Sequence, residues 1–260
     1  MSRLILRCLL LTIPDVLHLK YLNGIIALIL IFDYFETLVK THSMDFNRGL
    51  KVLWEKYYKD KCDFEEIKEF GDEQFRILLD LHKQGIEYRF VADELPEYAK
   101  RFGGDVVPMT TDEEADFLSL CNEMEVMPGM KDALETLLNK GVPMYILSNS
   151  GFTAEALTKV LDRLGIGKYF KKVWSSADYG RIKPDRGFFD QAIETALQDN
   201  PGNIRSDIVF LGDIFETDVT GAHNAGINAI WFDHEDREIE CDFEYRKINS
   251  ACELVETFIG

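Results

Sequence analysis

The chain has 260 residues, 46% of them hydrophobic, and 29 Lys+Arg against 46 Asp+Glu give a formal net charge of -17. That length and apolar content suffice for one substantial core plus a smaller satellite domain, and they argue against disorder. The charge repels nucleic-acid phosphates and anionic lipid at long range, which disfavours nucleic-acid and membrane partners. An anionic small molecule stays open, because a bound divalent cation and a nearby lysine can dominate the field inside a site.

At the N-terminus, Arg3 and Arg7 around the start of an apolar stretch look like the beginning of a secretory signal. Pro14, Asp15, His18 and Lys20 interrupt that stretch, and no small-residue cleavage pattern follows. Residues 1–24 are therefore expected to be a poorly ordered extension on a cytoplasmic protein. The next apolar run, Ile25–Phe32, is too short to span a bilayer and ends in an aspartate.

Comparable runs recur at Val142–Leu147, Ile208–Leu211 and Ala229–Phe232, each bounded by Gly, Asn or Asp. They are continuous rather than alternating, the pattern of strands buried on both faces of a parallel sheet. Helical spacing near Met130–Lys140, Thr153–Leu164, Arg186–Leu197 and Thr217–Asn224 supplies crossovers, so the expected class is α/β with a Rossmann-like parallel core. The interval Thr41–Val126 breaks the alternation and contains no comparable strand run, so it reads as a helical insertion. Within it Leu50, Leu53, Trp54, Tyr57 and Tyr58 form one apolar stripe, and Phe75, Ile77, Leu78 and Leu81 a second, both expected to be core of a small bundle. The acidic runs Asp112–Asp116 and His234–Glu244 read as solvated faces or a loop. Cys8, Cys62, Cys121, Cys241 and Cys252 are odd in number and scattered without a CxxC pair, and are expected to be small buried or half-buried apolar side chains in a reducing compartment.

In open parallel sheets ligands gather where strands end, so the polar residues that stop each run are the candidates. Asp33 stops the first run in FDYFETLV, Ser148 the second in YILSNSG, and Asp213 follows Ile208–Leu211 in FLGDIFETD. Lys183 lies between the last two, in GRIKPDRGFF, before a proline expected to open a helix. Singly each has an ordinary reading as a turn, cap or solvent residue. In this order, each at a strand end, they match four motifs, and from Ile25 to Asp233, including AGINAIWFD, the chain resembles the haloacid dehalogenase-like superfamily.

That resemblance implies a Rossmann-like α/β core of residues 25–40 and 127–260 with a smaller all-α cap at 41–126. It implies Asp33 as nucleophile, forming an aspartyl-phosphate. Mg²⁺ would be held by Asp33, Asp213 and the main-chain carbonyl of Phe35. Asp218, five residues after Asp213, would join the metal's outer shell or hold Lys183; alternatively it is a helix-start aspartate favoured by the dipole. Lys183 would neutralise charge on Asp33 and the phosphoryl group, and Ser148 with backbone N–H groups near Asn149 would bind phosphate oxygens. Thr37 is expected to brace the turn after Asp33, and Asn149 to orient the phosphate. The substrate would be a small phosphorylated metabolite.

The sequence departs from the family's phosphatases at Phe35, where they carry a second aspartate that protonates the leaving group and then activates water. Three readings follow. The first is a phosphohydrolase acting on a substrate with a good leaving group, with Glu36 either a substitute acid or a surface turn residue. The second is a phosphate-binding or regulatory protein that hardly turns over. The third is a 2-haloacid dehalogenase, against which the acidic GDIFETD motif argues. Trp54 and His82 are candidates to face the site from the insertion, set against a structural or exposed role.

Overall fold

The computed structural model describes residues 28–259, together with the backbone of Tyr21–Leu22 and Ile25–Ile26, which pair as two short antiparallel strands, β1 and β2. The expected extension 1–24 otherwise lies outside the described residues. Six strands form a parallel sheet in the order β10-β9-β8-β3-β6-β7. These are β3 Ile29–Phe32, β6 Met144–Ser148, β7 Val173–Ser175, β8 Ile208–Gly212, β9 Asn228–Phe232 and β10 Arg246–Ile248. The first sheet strand is thus half the length that the apolar run Ile25–Phe32 suggested, because Ile25–Ile26 turns back on Tyr21–Leu22 instead of extending the ladder.

Every residue of β3, β6 and β8 is buried, as expected for central strands covered on both faces. Alternation divides them between two layers. Leu30, Phe32, Ile146 and Leu211 face one cluster with α5 (Met130–Asn139), α6 (Ala154–Arg163) and α10 (Ala251–Ile259). Ile29, Ile31, Leu147 and Phe210 face the other, with α8 (Arg186–Asp199) and α9 (Thr220–Asn224). Pro184 does not open a helix: Asp185 caps α8, its carboxylate accepting the Phe188 N–H at 3.1 Å, so the proline stands one residue outside the cap. The helix expected at Thr217–Asn224 divides into a π-helical turn at Phe215–Val219 and α9.

The insertion is not purely helical. β4 (Val39–Met44) and β5 (Asn122–Val126) pair antiparallel and frame it as a ribbon. Both were hidden because their residues alternate, VKTHSM and NEMEV, rather than forming an apolar block. Between them lie α1 (Phe46–Tyr57), α2 (Phe64–His82), a π-helical turn at Phe90–Glu94, α3 (Leu95–Phe102) and α4 (Thr111–Cys121). The first apolar stripe is core, with Leu50, Leu53 and Tyr58 buried and Trp54 and Tyr57 packed against them. The second is not: Phe75 and Ile77 are exposed, and α2 turns Ile67, Phe70 and Gln74 inward instead. Nor is Asp112–Asp116 wholly a solvated face, since the Glu114 carboxylate is buried and accepts the N–H and hydroxyl of Thr153, each at 2.7 Å. Residues 234–238 are exposed, as a loop should be. Cys121 is buried and Cys62 half-buried, but Cys241 and Cys252 are exposed, contrary to expectation. No helix among the described residues is long and apolar enough to cross a membrane.

Candidate active site

The three adjacent central strands, β8, β3 and β6, end at one rim and deliver the predicted side chains there. Phe32 is in register with Leu211 and with Ile146, and the Asp33 N–H donates to the Leu211 carbonyl at 2.8 Å. That last ladder bond holds Asp33 beside Gly212, one residue from Asp213. The carboxylate oxygens of Asp33, Asp213 and Asp218 include a set lying within 4.8 Å of one another.

Asp218 reaches this cluster because the π-helical turn folds it back, and because residue 212 is glycine. A Cβ at Gly212 would stand 2.3 Å from Asp218 Oδ2. The Asp218 carboxylate accepts the Ile214 N–H at 3.0 Å through Oδ2 and the Lys183 ammonium at 2.8 Å through Oδ1. Lys183 also donates to Asp33 Oδ1 at 2.6 Å and lies 5.1 Å above the centre of the Phe210 ring. Both alternatives for Asp218 have a counterpart in the geometry: it grips Lys183 beside the carboxylate cluster, and it lies in the first turn of the π-helical segment leading into α9, accepting the N–H of the cap residue Ile214.

Lys183 is only 1% exposed, so its neighbours decide its charge. Burial pulls its pKa down, but the carboxylates of Asp218 and Asp33 outweigh that and leave it above the ordinary lysine value. Asp33 is pushed up to about 6, by burial first, against the pull of Lys183. Asp213 is pushed up to about 8, by burial and then by the charges of Asp33 and Asp218. Its Oδ1 is buried with no hydrogen-bond partner among the described residues. Such a carboxylate is costly unless something cationic meets it. Crowded, desolvated carboxylates with an orphaned oxygen are the donor set that a hard, oxygen-seeking divalent ion satisfies, so Mg²⁺ fits these residues.

Ser148, the last residue of β6, is fully buried, its hydroxyl making only a 3.5 Å contact with the Asn149 carbonyl. The Asn149 side chain bonds to the backbone of Lys183, accepting its N–H at 2.6 Å and donating to its carbonyl at 3.2 Å, and so ties the lysine's main chain to the end of β6. Thr37 is buried with its hydroxyl unpartnered, so no bond from it braces the turn. The brace is main-chain: Leu38 and Val39 N–H both donate to the Tyr34 carbonyl at 3.0 Å.

Phe35 is half-buried against the core cluster, its ring centre 4.6 Å from that of Tyr34. Glu36 has φ 54°, the left-handed region that favours glycine. Its carboxylate accepts the Thr41 N–H at 2.8 Å and its carbonyl accepts from His234 Nε2 at 2.6 Å, which is the behaviour of a turn residue and not of a substitute acid. Trp54 donates its indole N–H to the Cys62 carbonyl at 2.8 Å, and His82 Nε2 meets the Glu87 carboxylate at 3.0 Å, so both have structural partners. A cavity of about 560 Å³ opens beside Asp213, walled by Glu36, Lys40, Phe232, His234 and Arg237 among others.

A family model for haloacid dehalogenase-like hydrolase matches residues 28–226. The ribulose-1,5-bisphosphate 5-phosphatase of Halopiger xanaduensis is 32% identical over 46% of this chain and 47% of its own length. The pyrimidine 5'-nucleotidase YjjG of Escherichia coli is 32% identical over 43% of this chain and 47% of its own. The chain thus spans about half the length of the curated relatives it matches. Among solved structures, a 2-haloacid dehalogenase from Pseudomonas syringae is 21% identical, superposes with a TM-score of 0.63, and covers 88% of this chain and 97% of that one. At that identity the likeness speaks for the fold alone.

Proposed function

We propose, from the premise that this chain belongs to the haloacid dehalogenase-like hydrolase family, that it is a Mg²⁺-dependent phosphohydrolase of small phosphorylated metabolites in the cytoplasm. One observation carries the reading: three carboxylates, two at strand ends and one folded back on a π-helical turn, within 4.8 Å of one another, one with an orphaned buried oxygen, beside a buried lysine. The helical insertion serves as the cap over the site. Asp33, Asp213 and the Phe35 carbonyl would hold the cation, with Asp218 outside them. When bound, Mg²⁺ would withdraw charge from the phosphoryl oxygens.

In this reading an Asp33 oxygen attacks phosphorus, the bond from phosphorus to the leaving oxygen breaks, and the leaving group departs with its electron pair. Water then attacks the aspartyl-phosphate, which regenerates Asp33 and releases phosphate. Lys183 keeps Asp33 ionised as a nucleophile and offers its remaining proton to a phosphoryl oxygen, while Ser148 donates to another. Phe35 offers no proton to the departing oxygen. A positioned general acid typically contributes about 10²–10⁴-fold, so substrates that leave without a proton are favoured: acyl phosphates, phosphoanhydrides and aryl phosphates.

The test is turnover by the purified chain of p-nitrophenyl phosphate and acetyl phosphate against a sugar phosphate, with Mg²⁺ and with EDTA. The expected result is faster hydrolysis of the first two, lost in EDTA. A sugar phosphate hydrolysed as fast as the other two removes the leaving-group argument. Phe35 also favours a second reading, a phosphate-binding protein with little turnover. Beryllofluoride capture without hydrolysis of any substrate selects it, whereas halide release from a 2-haloacid in EDTA selects a dehalogenase.

A further inference from the structure

The carboxylate of Asp213 receives no hydrogen bond at Oδ1, yet its main-chain carbonyl receives two bonds. Trp231 stands opposite Gly212 in the parallel pair β8·β9, and its indole N–H crosses to the Asp213 carbonyl at 2.9 Å. The guanidinium of Arg237 donates to the same carbonyl at 3.4 Å and lies 4.9 Å above the Trp231 ring. Arg237 is itself fixed. Its Nε donates at 2.8 Å to Asp233 Oδ1, and its backbone N–H donates to Oδ2. Asp233 is fully buried just past β9, where its N–H donates to the Ile248 carbonyl at 2.9 Å and its carboxylate accepts the Glu235 N–H at 3.2 Å. Phe215 meets Trp231 edge-on with ring centres 5.1 Å apart.

The Arg237 side chain is 45% exposed, and an ion pair at that exposure contributes little stability by itself. What the arrangement does deliver is a fixed position for the main chain that carries Asp213. We propose that Arg237, locked by Asp233 and stacked on Trp231, is a positioning residue for the metal site: it holds the Asp213 backbone so that the free carboxylate stays beside Asp33, where the two would hold a cation. This rests on the metal-centre reading above. It assigns a task to the acidic loop after β9, which the catalytic motifs do not cover. Partners that orient metal ligands typically contribute about 10–100-fold in metal affinity or activity.

The experiment is Mg²⁺ titration by calorimetry, without substrate, of the full chain and of Arg237→Lys and Trp231→Phe. Arg237→Lys keeps a cation for Asp233 but loses the planar fork that reaches two acceptors at once. Trp231→Phe removes the indole N–H and keeps a ring. The expected result is a Mg²⁺ dissociation constant raised about tenfold in each variant, with a wild-type circular dichroism spectrum and a KM at saturating Mg²⁺ within about twofold of wild type. Wild-type Mg²⁺ affinity in both variants overturns the proposal, as does a lowered melting temperature with affinity unchanged, which marks the contacts as structural only. If the unaltered chain binds no Mg²⁺ at millimolar concentration, it is the metal-centre reading that fails, and this proposal with it.

Discussion

The side-chain amide of Asn149 closes on the backbone of Lys183 from both sides, accepting its N–H at 2.6 Å and donating to its carbonyl at 3.2 Å. The two residues are 34 apart in sequence and belong to neighbouring loops at the strand-end rim. The clamp fixes where the lysine leaves the chain, and so where its ammonium meets Asp33 and Asp218. Asn149→Ala should therefore lower kcat by roughly 10–100-fold, the loss expected when a group that orients a charged catalytic side chain is removed. KM should change much less. Steady-state kinetics on p-nitrophenyl phosphate checks it, and a fall in KM-linked binding alone would place Asn149 on the substrate instead.

Asp33→Asn keeps the volume of the side chain and removes the charge and the nucleophile. Lys183 retains Asp218 as its partner at 2.8 Å, so the buried ammonium is not stranded and the fold should survive. Turnover should fall by roughly 10³-fold or more, as for other nucleophile deletions. The check is residual hydrolysis together with a melting curve. Undiminished activity in folded protein would refute the assigned nucleophile.

Much of the site and half of the fold could be read from the chain itself, and the division has a physical basis. β6, β8 and β9 were visible because central parallel strands are apolar on both faces, which leaves a continuous run. β4 and β5 were not, since a ribbon half-exposed to water alternates, and alternation amid charged helices was read as helix. β7 and β10 have three residues each, too few to carry a period. Asp33, Ser148 and Asp213 were legible because each ends a strand. The bonds of Asn149 to the Lys183 main chain were not legible, because a backbone has no letter in the sequence. Phe75 and Ile77 misled for another reason: their spacing fits a buried stripe, but α2 spends its inward face on Ile67 and Phe70.

Phe35→Asp would supply the proton donor that the site lacks. The ring is half-buried against Tyr34, so its removal costs packing, and the melting temperature should fall. Hydrolysis of an alkyl phosphate ester should nonetheless rise, by roughly tenfold or more given the usual worth of a general acid. Acetyl phosphate hydrolysis should rise less, because only the water-attack step and not its departure gains from the new carboxyl. The ratio of the two rates is the measurement, and Glu36→Gln is the control, expected to leave the ratio unaltered because that carboxylate is occupied by the Thr41 N–H.

Mg²⁺ affinity should depend on pH. Burial and like charge raise Asp33 to about 6 and Asp213 to about 8, so the metal-free site carries protons near neutrality that a cation must displace. Affinity should increase between about pH 5 and 8, by roughly tenfold per pH unit for each proton released. Stability of the metal-free protein runs the other way. An acid whose folded pKa is raised contributes stability that is present below its unfolded value, here 3.8, and is lost as pH rises through the folded value. The melting temperature without metal should then decline from about pH 5 to 8, and saturating Mg²⁺ should flatten the decline. Calorimetric titrations and melting curves across that range check both signs, and a metal-free melting temperature that rises over the same interval would contradict the assigned shifts.

The contact between α4 and α6 offers a test of how the insertion is held on the core. Glu114 accepts the N–H and the hydroxyl of Thr153, the N-cap of α6, while Lys159 pairs with Asp112 at 2.8 Å and Arg163 with Asp116 at 2.7 Å. The two ion pairs are exposed and should contribute little, less still in high salt. Glu114 is 3% exposed, and its loss leaves the Thr153 N–H without its partner. Glu114→Ala should therefore cost roughly 1–3 kcal/mol, at about 2–4 °C of melting temperature per kcal/mol for a chain of this size. Asp112→Asn combined with Asp116→Asn should cost less than Glu114→Ala alone, because solvent already screens those pairs. Thermal melts at low and high salt separate the contributions: a salt-dependent loss in the Glu114 variant, or a larger loss in the double variant, would show that the exposed pairs and not the buried carboxylate hold the two helices together.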